Sequence, residues 1–197
     1  MAIRFIKKFQ DQKVLRRLKN RDREAFVKAY DENVSEINRF VYFKVGSREE
    51  ANDLTSAIFL KAWHHIQNKT LEDSSTLRAL LYKIARTSII DHYRENGGKQ
   101  PASLDDENNP IDVIDEALSP ADRLDAANNL QLVMKQLPRL KDEYREVIIL
   151  RFINELSLEE IAEISGKKKG NVRVLLHRAL TALRELVEED AAASTKL

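Results

Sequence analysis

The sequence predicts an all-α protein, two small helical domains joined by a flexible acidic linker. Three observations predict it. Apolar residues recur at spacings of three and four over long stretches, and none alternates strictly with period two, so helices are signalled and sheets are not. Glycine and proline are rare, five and four in 197 residues, and all but Gly170 fall between the helical stretches or at their ends. Charge is laid out in blocks although the whole chain is only +1: residues 1–30 carry a net +7, residues 101–125 a net −7, and residues 167–184 hold six Lys/Arg and no acid.

Each helix follows from its stripe. Residues 21–44 align Ala25, Phe26, Ala29, Tyr30, Ile37, Phe40 and Val41. Residues 48–67 align Ala51, Leu54, Ile58, Ala62 and Ile66, and residues 75–94 align Leu77, Leu80, Leu81, Ile84, Ala85, Ile89 and Tyr93. Stripes of this width face a core. Gly46 separates the first two helices, and Gly97-Gly98 with Pro101 ends the third. Residues 95–122 lose the pattern and carry Pro110 and Pro120, which marks a linker. Periodicity returns from Asp122, with Pro138 preceding a helix. The opening residues 3–19 can form a basic amphipathic helix with Ile3, Ile6, Val14, Leu15 and Leu18 inward. The expected organisation is a basic N-terminal extension (1–20), a first domain (21–97), an acidic linker (98–122), a second domain (123–190) and a disordered tail (191–197).

Composition excludes several functions. The absence of cysteine removes disulfides, thiolate metal sites and cysteine nucleophiles. His64, His65, His92 and His177 stand at no metal-ligand spacing with an acid, so no metal and no cofactor are expected. No phosphate-cradling glycine loop, nucleophile motif or pocketed acid pair is visible, so the chain is expected not to be an enzyme. No apolar run approaches the ~20 residues a bilayer requires, and Met1–Phe9 lacks a signal-peptide core. A cytoplasmic protein without membrane insertion is expected.

The C-terminal third points to DNA. Ser157-Leu-Glu-Glu160 is a capping box opening a short helix with Leu158, Ile161, Ala162 and Ile164 inward. Ser165-Gly166 makes a tight turn in which Gly166 supplies a left-handed residue. A second helix starts near Lys169 with Val172, Leu176, Ala179 and Leu183 inward. This is a helix-turn-helix, whose second helix enters the major groove. The candidates to meet DNA are Lys168, Lys169, Asn171, Arg173, His177 and Arg178. Asn pairs with adenine and Arg with guanine or phosphate, whereas Lys168 and Lys169 suit phosphates. A plain helical hairpin with a solvated basic face would look similar but would not need the capping box, the glycine turn and the missing acids together.

Three segments carry a family resemblance. Residues 137–186, from Leu-Pro-Arg-Leu-Lys-Asp-Glu-Tyr-Arg-Glu-Val-Ile through Leu-Ser-Leu-Glu-Glu-Ile-Ala to Val-Arg-Val-Leu-Leu-His-Arg-Ala-Leu, resemble region 4 of extracytoplasmic-function sigma factors. Glu49-Glu50-Ala-Asn-Asp-Leu-Thr-Ser-Ala-Ile-Phe-Leu-Lys-Ala-Trp63 resembles region 2.2 of the same family. Leu77-Arg-Ala-Leu-Leu-Tyr-Lys-Ile-Ala-Arg-Thr-Ser-Ile-Ile-Asp-His-Tyr-Arg94 resembles regions 2.3 and 2.4. The segments stand in the family's order, and the resemblance covers about residues 21–188.

The resemblance implies roles residue by residue. Region 2.2 grips the clamp helices of the polymerase β′ subunit, which here falls to Asn52, Asp53, Ser56, Phe59, Leu60 and Lys61. Without that role, Asp53 and Lys61 would be plain surface ions. Regions 2.3 and 2.4 melt and read the −10 element, through the loop of about Asn68 to Thr76 and through Arg78, Tyr82, Lys83, Arg86, Thr87, His92, Tyr93 and Arg94. Region 4.2 reads the −35 element. Core RNA polymerase (β′ clamp helices and β flap), promoter DNA and an anti-sigma factor are the implied partners. The connector between regions 2 and 4 is implied to thread towards the polymerase active site, and a −7 charge over residues 101–125 suits a strand that mimics nucleic acid. The chain departs from the family pattern at Ser56-Ala57 (usually Gln-Glu), Leu80 (usually Trp), Thr87 (usually Asn) and Val174-Leu175 (usually Ser-Arg). Leu80 keeps a core role, Thr87 offers a hydroxyl where an amide is usual, and Val174 or Leu175 can meet thymine methyls or a protein.

The leading expectation is therefore a non-catalytic promoter-recognition subunit. The alternative is a helix-turn-helix regulator that binds duplex DNA without polymerase and uses residues 21–94 to dimerise or sense a ligand. A third reading, a helical interaction protein or a small RNA-modifying enzyme, has no motif of its own.

Overall fold

The computed structural model describes residues 14, 16–68, 77–97 and 133–194. The start of the N-terminal extension, most of the loop before the third helix, the acidic linker, residues 123–132 and the end of the tail lie outside the described residues. The elements are α1 (Arg23–Val45), α2 (Arg48–Asn68), α3 (Leu77–Glu95), a 3-10 turn (Leu137–Arg139), α4 (Asp142–Ile148), a π-helical turn (Ile149–Ile153), α5 (Leu158–Ser165) and α6 (Lys169–Ser194). There is no strand among the described residues. No helix among them is long and apolar enough to cross a membrane.

Two compact units form. One gathers the described residues up to Tyr42, those of Arg48–Lys99, and Glu163–Gly166. The other gathers Phe43–Ser47, the described part of Gln100–Ala162, and Lys167 onward.

The first unit is built on the predicted stripes. Leu18, Ile37, Phe40, Val41, Ile58, Leu81, Ala85 and Ile89 are buried. Phe40 meets Tyr82 edge-on at 5.3 Å between ring centroids. Tyr30 meets Phe59 in the same way at 4.7 Å, and Phe26 tilts against Trp63 at 4.8 Å. Asp22 caps the start of α1, its carboxylate accepting from the Ala25 N–H at 3.1 Å. The hydrogen bond from Arg17, at 2.7 Å, holds the Asp22 carboxyl below the usual carboxylate range.

In the second unit Leu137, Ile149, Leu150, Leu156, Val172 and Ala179 are buried. Asp142 receives two buried cations, Lys44 and Arg145, and Glu146 stands 3.8 Å from Lys44. Burial pushes the Lys44 ammonium down in pKa, against the pull of both carboxylates. Removing Asp142 would leave the Lys44 ammonium buried with one fewer counter-charge, whereas Asp142 itself is partly open to solvent.

One departure from simple helical periodicity stands out. After α4 the backbone widens into a π turn, and the Asn154 N–H donates to the Ile149 carbonyl at 2.9 Å. The chain then reverses with Glu155 in a left-handed conformation (φ 55°). The Leu156 N–H donates to the Leu150 carbonyl at 2.9 Å, and Arg151 Nη1 donates to the Leu156 carbonyl at 2.8 Å. The widened turn lets Ile149, Leu150 and Ile153 all be buried while Phe152 is left exposed.

Truncating the wholly buried Phe40 tests the first core. Phe40→Ala is expected to cost about 3–5 kcal/mol. A urea melt followed by Trp63 fluorescence, the chain's one tryptophan, checks it.

Candidate nucleic-acid and polymerase interface

The helix-turn-helix forms as its local chemistry dictates. The Ser157 N–H donates to Glu160 Oε2 at 2.8 Å, and the Glu160 N–H donates back to Ser157 Oγ at 3.3 Å, so the capping box is closed. Gly166 adopts φ +66°, and a Cβ built there would meet nothing within 4 Å. Its glycine therefore serves backbone conformation and not space. On α6, Val172, Ala179 and Leu183 are buried and Leu176 is half-buried. Lys168, Lys169, Asn171, Arg173, His177 and Arg178 are all exposed. Lys169 is ion-paired with Glu159 of α5. Lys168, Arg173 and Arg178 have no carboxylate within ion-pair distance among the described residues, which leaves their charge for an anionic partner.

Helix α3 is more divided than its sequence suggests. Lys83, Arg86, His92 and Tyr93 are half-buried, and Thr87 and Arg94 are exposed. Thr87 Oγ1 donates to the Lys83 carbonyl at 3.0 Å, a bond within the helix. Arg94 lies 4.0 Å from Asp91, and His92 Nε2 lies 3.4 Å from Glu50. Arg86 Nη1 donates to the Ile164 carbonyl at 3.1 Å.

Two of the expected −10 contacts are committed elsewhere. Tyr82 is 0% exposed, with its ring against Phe40, so in this conformation it is part of the core and not of a surface. Arg78 grips Glu36 of α1 through both carboxylate oxygens, Nε at 2.8 Å and Nη2 at 2.5 Å. That fork-on-fork geometry ties α1 to the first turn of α3.

On α2 the outward residues are Asn52, Asp53, Ser56, Leu60 and Lys61. Leu60 is 58% exposed, a large apolar side chain on an otherwise polar face. Asn52 Oδ1 accepts from Asn38 at 3.0 Å, and Ser56 Oγ donates to the Asn52 carbonyl at 3.1 Å. Lys61 reaches α3, donating to Ser88 Oγ at 3.1 Å with Asp91 at 4.0 Å. Phe59 is a correction: it is buried against Tyr30, because its position on the helix faces α1 and not solvent. Sequence reading did not signal the partners Glu36, Glu50, Ser88, Asp91 and Glu159. Each contributes through a fold contact that no local motif encodes.

Models of known families match both halves of the chain. "Sigma-70 region 2" covers residues 29–98, hence most of α1 and all of α2 and α3. "Sigma-70, region 4" covers residues 130–183, which hold the helix-turn-helix. The two models together match more than half of the chain, which belongs to the sigma-70 family. Sigma-factor relatives agree. The ECF RNA polymerase sigma factor BldN of Streptomyces coelicolor is 32% identical over 175 residues, 85% of this chain and 62% of the relative, so the chain spans less than two thirds of that protein. The ECF RNA polymerase sigma factor SigW of Bacillus subtilis is 28% identical over 185 residues, covering 90% of this chain and 97% of the relative. Among solved structures, CnrH in complex with the cytosolic domain of CnrY shares the fold at a TM-score of 0.64 (21% identity, 91% of this chain and 98% of that one). The sigma factor RpoE with the anti-sigma factor NepR from Bartonella quintana shares it at 0.63 (24% identity, 83% and 96%). The sigma-70 fold thus accounts for both helical units.

The Glu36–Arg78 fork predicts a paired effect. Glu36→Gln and Arg78→Ala should each destabilise the first unit by about 1–3 kcal/mol. The double variant should cost less than the sum of the two single ones, because both remove the same fork. Urea melts of the three variants check this.

Proposed function

We propose that this protein is a sigma factor that binds core RNA polymerase and directs promoter-specific initiation, without catalysis of its own. The outward face of α2, centred on Leu60, takes the β′ clamp helices, and the helix-turn-helix unit takes the β flap. The loop before α3 and the outward residues Lys83, Thr87, His92, Tyr93 and Arg94 hold the melted −10 strand. Extruding a base requires a pocket and a cationic surface for the backbone. The outward face of α6 reads the −35 duplex in the major groove. The proposed organisation keeps residues 21–97 and 123–190 as the two working domains, with residues 98–122 as the connector inside the polymerase. An anti-sigma factor is the proposed inhibitor.

The observation that carries the reading is the α6 face: Lys168, Arg173 and Arg178 are exposed, and no carboxylate neutralises them among the described residues. A solvated helix would disperse such charge among acids, whereas a phosphate-facing helix keeps it.

Run-off transcription with bacterial core polymerase on a genomic fragment library tests the proposal. New discrete start sites are expected only when the protein is present. Arg173→Ala should weaken use of the recovered promoters by about 1–3 kcal/mol with altered sequence preference. Lys168→Ala should weaken binding evenly and lower the slope of log affinity against log salt by about one. Duplex binding by the protein alone, with no start sites, would instead make it a polymerase-independent regulator.

A further inference from the structure

Two features at the front of α6 are unexplained by the protein's own packing. Gly170 lies within the first turn of the helix, where glycine is an unfavourable choice. A Cβ built there would meet nothing within 4 Å, and no positive φ requires glycine. Val174 lies one turn further on along the same face and is 51% exposed. Val172 and Ala179, at 0% exposure, mark the inward side of the helix. At 100° per residue, Gly170, Val174 and His177 fall on the side opposite them. Exposed Arg173 and Arg178 flank this strip.

An absent side chain followed by an apolar one, between two arginines, suits one kind of partner. The missing Cβ lets the helix backbone approach a surface closely. The arginines require that surface to be anionic at its edges. The valine requires an apolar group at its centre. A duplex major groove presents phosphates at the rims and, at each thymine, a C5-methyl group on the floor.

We propose that Gly170 and Val174 are specificity-determining residues of this helix, with Gly170 admitting the backbone to the groove and Val174 reading a thymine methyl in the upstream promoter element. The proposal rests on the reading of α6 as the −35 helix. It adds a residue type that the polar contacts do not supply, since a valine cannot satisfy a base-edge donor or acceptor.

The test uses the full-length protein with core polymerase and a promoter recovered from the run-off library. Each thymine of its upstream element is replaced in turn by deoxyuridine, which removes only the methyl group. With the native protein, one such replacement should weaken promoter binding about fourfold, the worth of one methyl withdrawn from water. Val174→Ala should weaken binding to the unmodified promoter by a similar factor and no longer distinguish thymine from deoxyuridine at that position. Gly170→Ala should raise the thermal midpoint, since alanine favours the helix and meets no atom, yet weaken promoter binding. The inference is overturned if no deoxyuridine replacement matters, if Val174→Ala keeps the full discrimination, or if Gly170→Ala binds promoter as the native protein does. A Val174→Ala variant that transcribes normally but loses a protein inhibitor would also overturn it and assign the strip to that partner. Failure to recover any promoter would instead count against the sigma-factor reading itself.

Discussion

The edge-on contact of Phe40 with Tyr82 decides what the first unit can offer to a partner. It locks α3 against α1 at one rotational setting. With Tyr82, Leu81, Ala85 and Ile89 turned inward, helical geometry leaves Lys83, Thr87 and Arg94 on the other flanks. A one-residue rotation of α3 that carried Lys83 into the place of Tyr82 would bury a lysine. The Arg78–Glu36 fork at the first turn resists the same rotation. Lys61 to Ser88 and Glu50 to His92 hold α3 to α2 further along. The surface proposed to hold single-stranded DNA is thus set by a buried aromatic pair and a set of cross-helix polar contacts.

The second unit solves a different problem. A helix that reads a groove must present a cationic face without an unstable start. The closed capping box at Ser157 and Glu160, and the left-handed Gly166, set the turn by local chemistry alone. Lys169 is held by Glu159, which leaves the proposed phosphate and base contacts to the exposed Lys168, Arg173 and Arg178. The sequence-level charge block over residues 167–184 therefore overstates how many cations are available.

Much of this is legible in the chain. Helix positions follow the three- and four-residue spacing to within a few residues, as α2 shows, expected over 48–67 and found over Arg48–Asn68. The capping box, the Gly166 turn and the inward stripe of α6 are local, and local signals read well. What is not legible involves distant partners. Nothing near Arg78 in the sequence announces Glu36, 42 positions away. Tyr82 and Phe59 carry polarity or family position that suggests surface, and only packing against Phe40 and Tyr30 shows otherwise. The π turn at Ile149–Ile153 is hidden because five residues in which isoleucine and leucine predominate fit an α-helix as well.

Everything proposed for this protein begins with core polymerase being held on the outward face of α2. A photo-crosslinking amino acid placed at Leu60, the exposed apolar residue of that face, tests it most directly when the protein is mixed with core enzyme and irradiated. A crosslink to the β′ subunit is expected, and none from the same group placed at Val27 on the exposed side of α1. Equal crosslinking from both positions, or none from Leu60 while start-site selection persists, would contradict it.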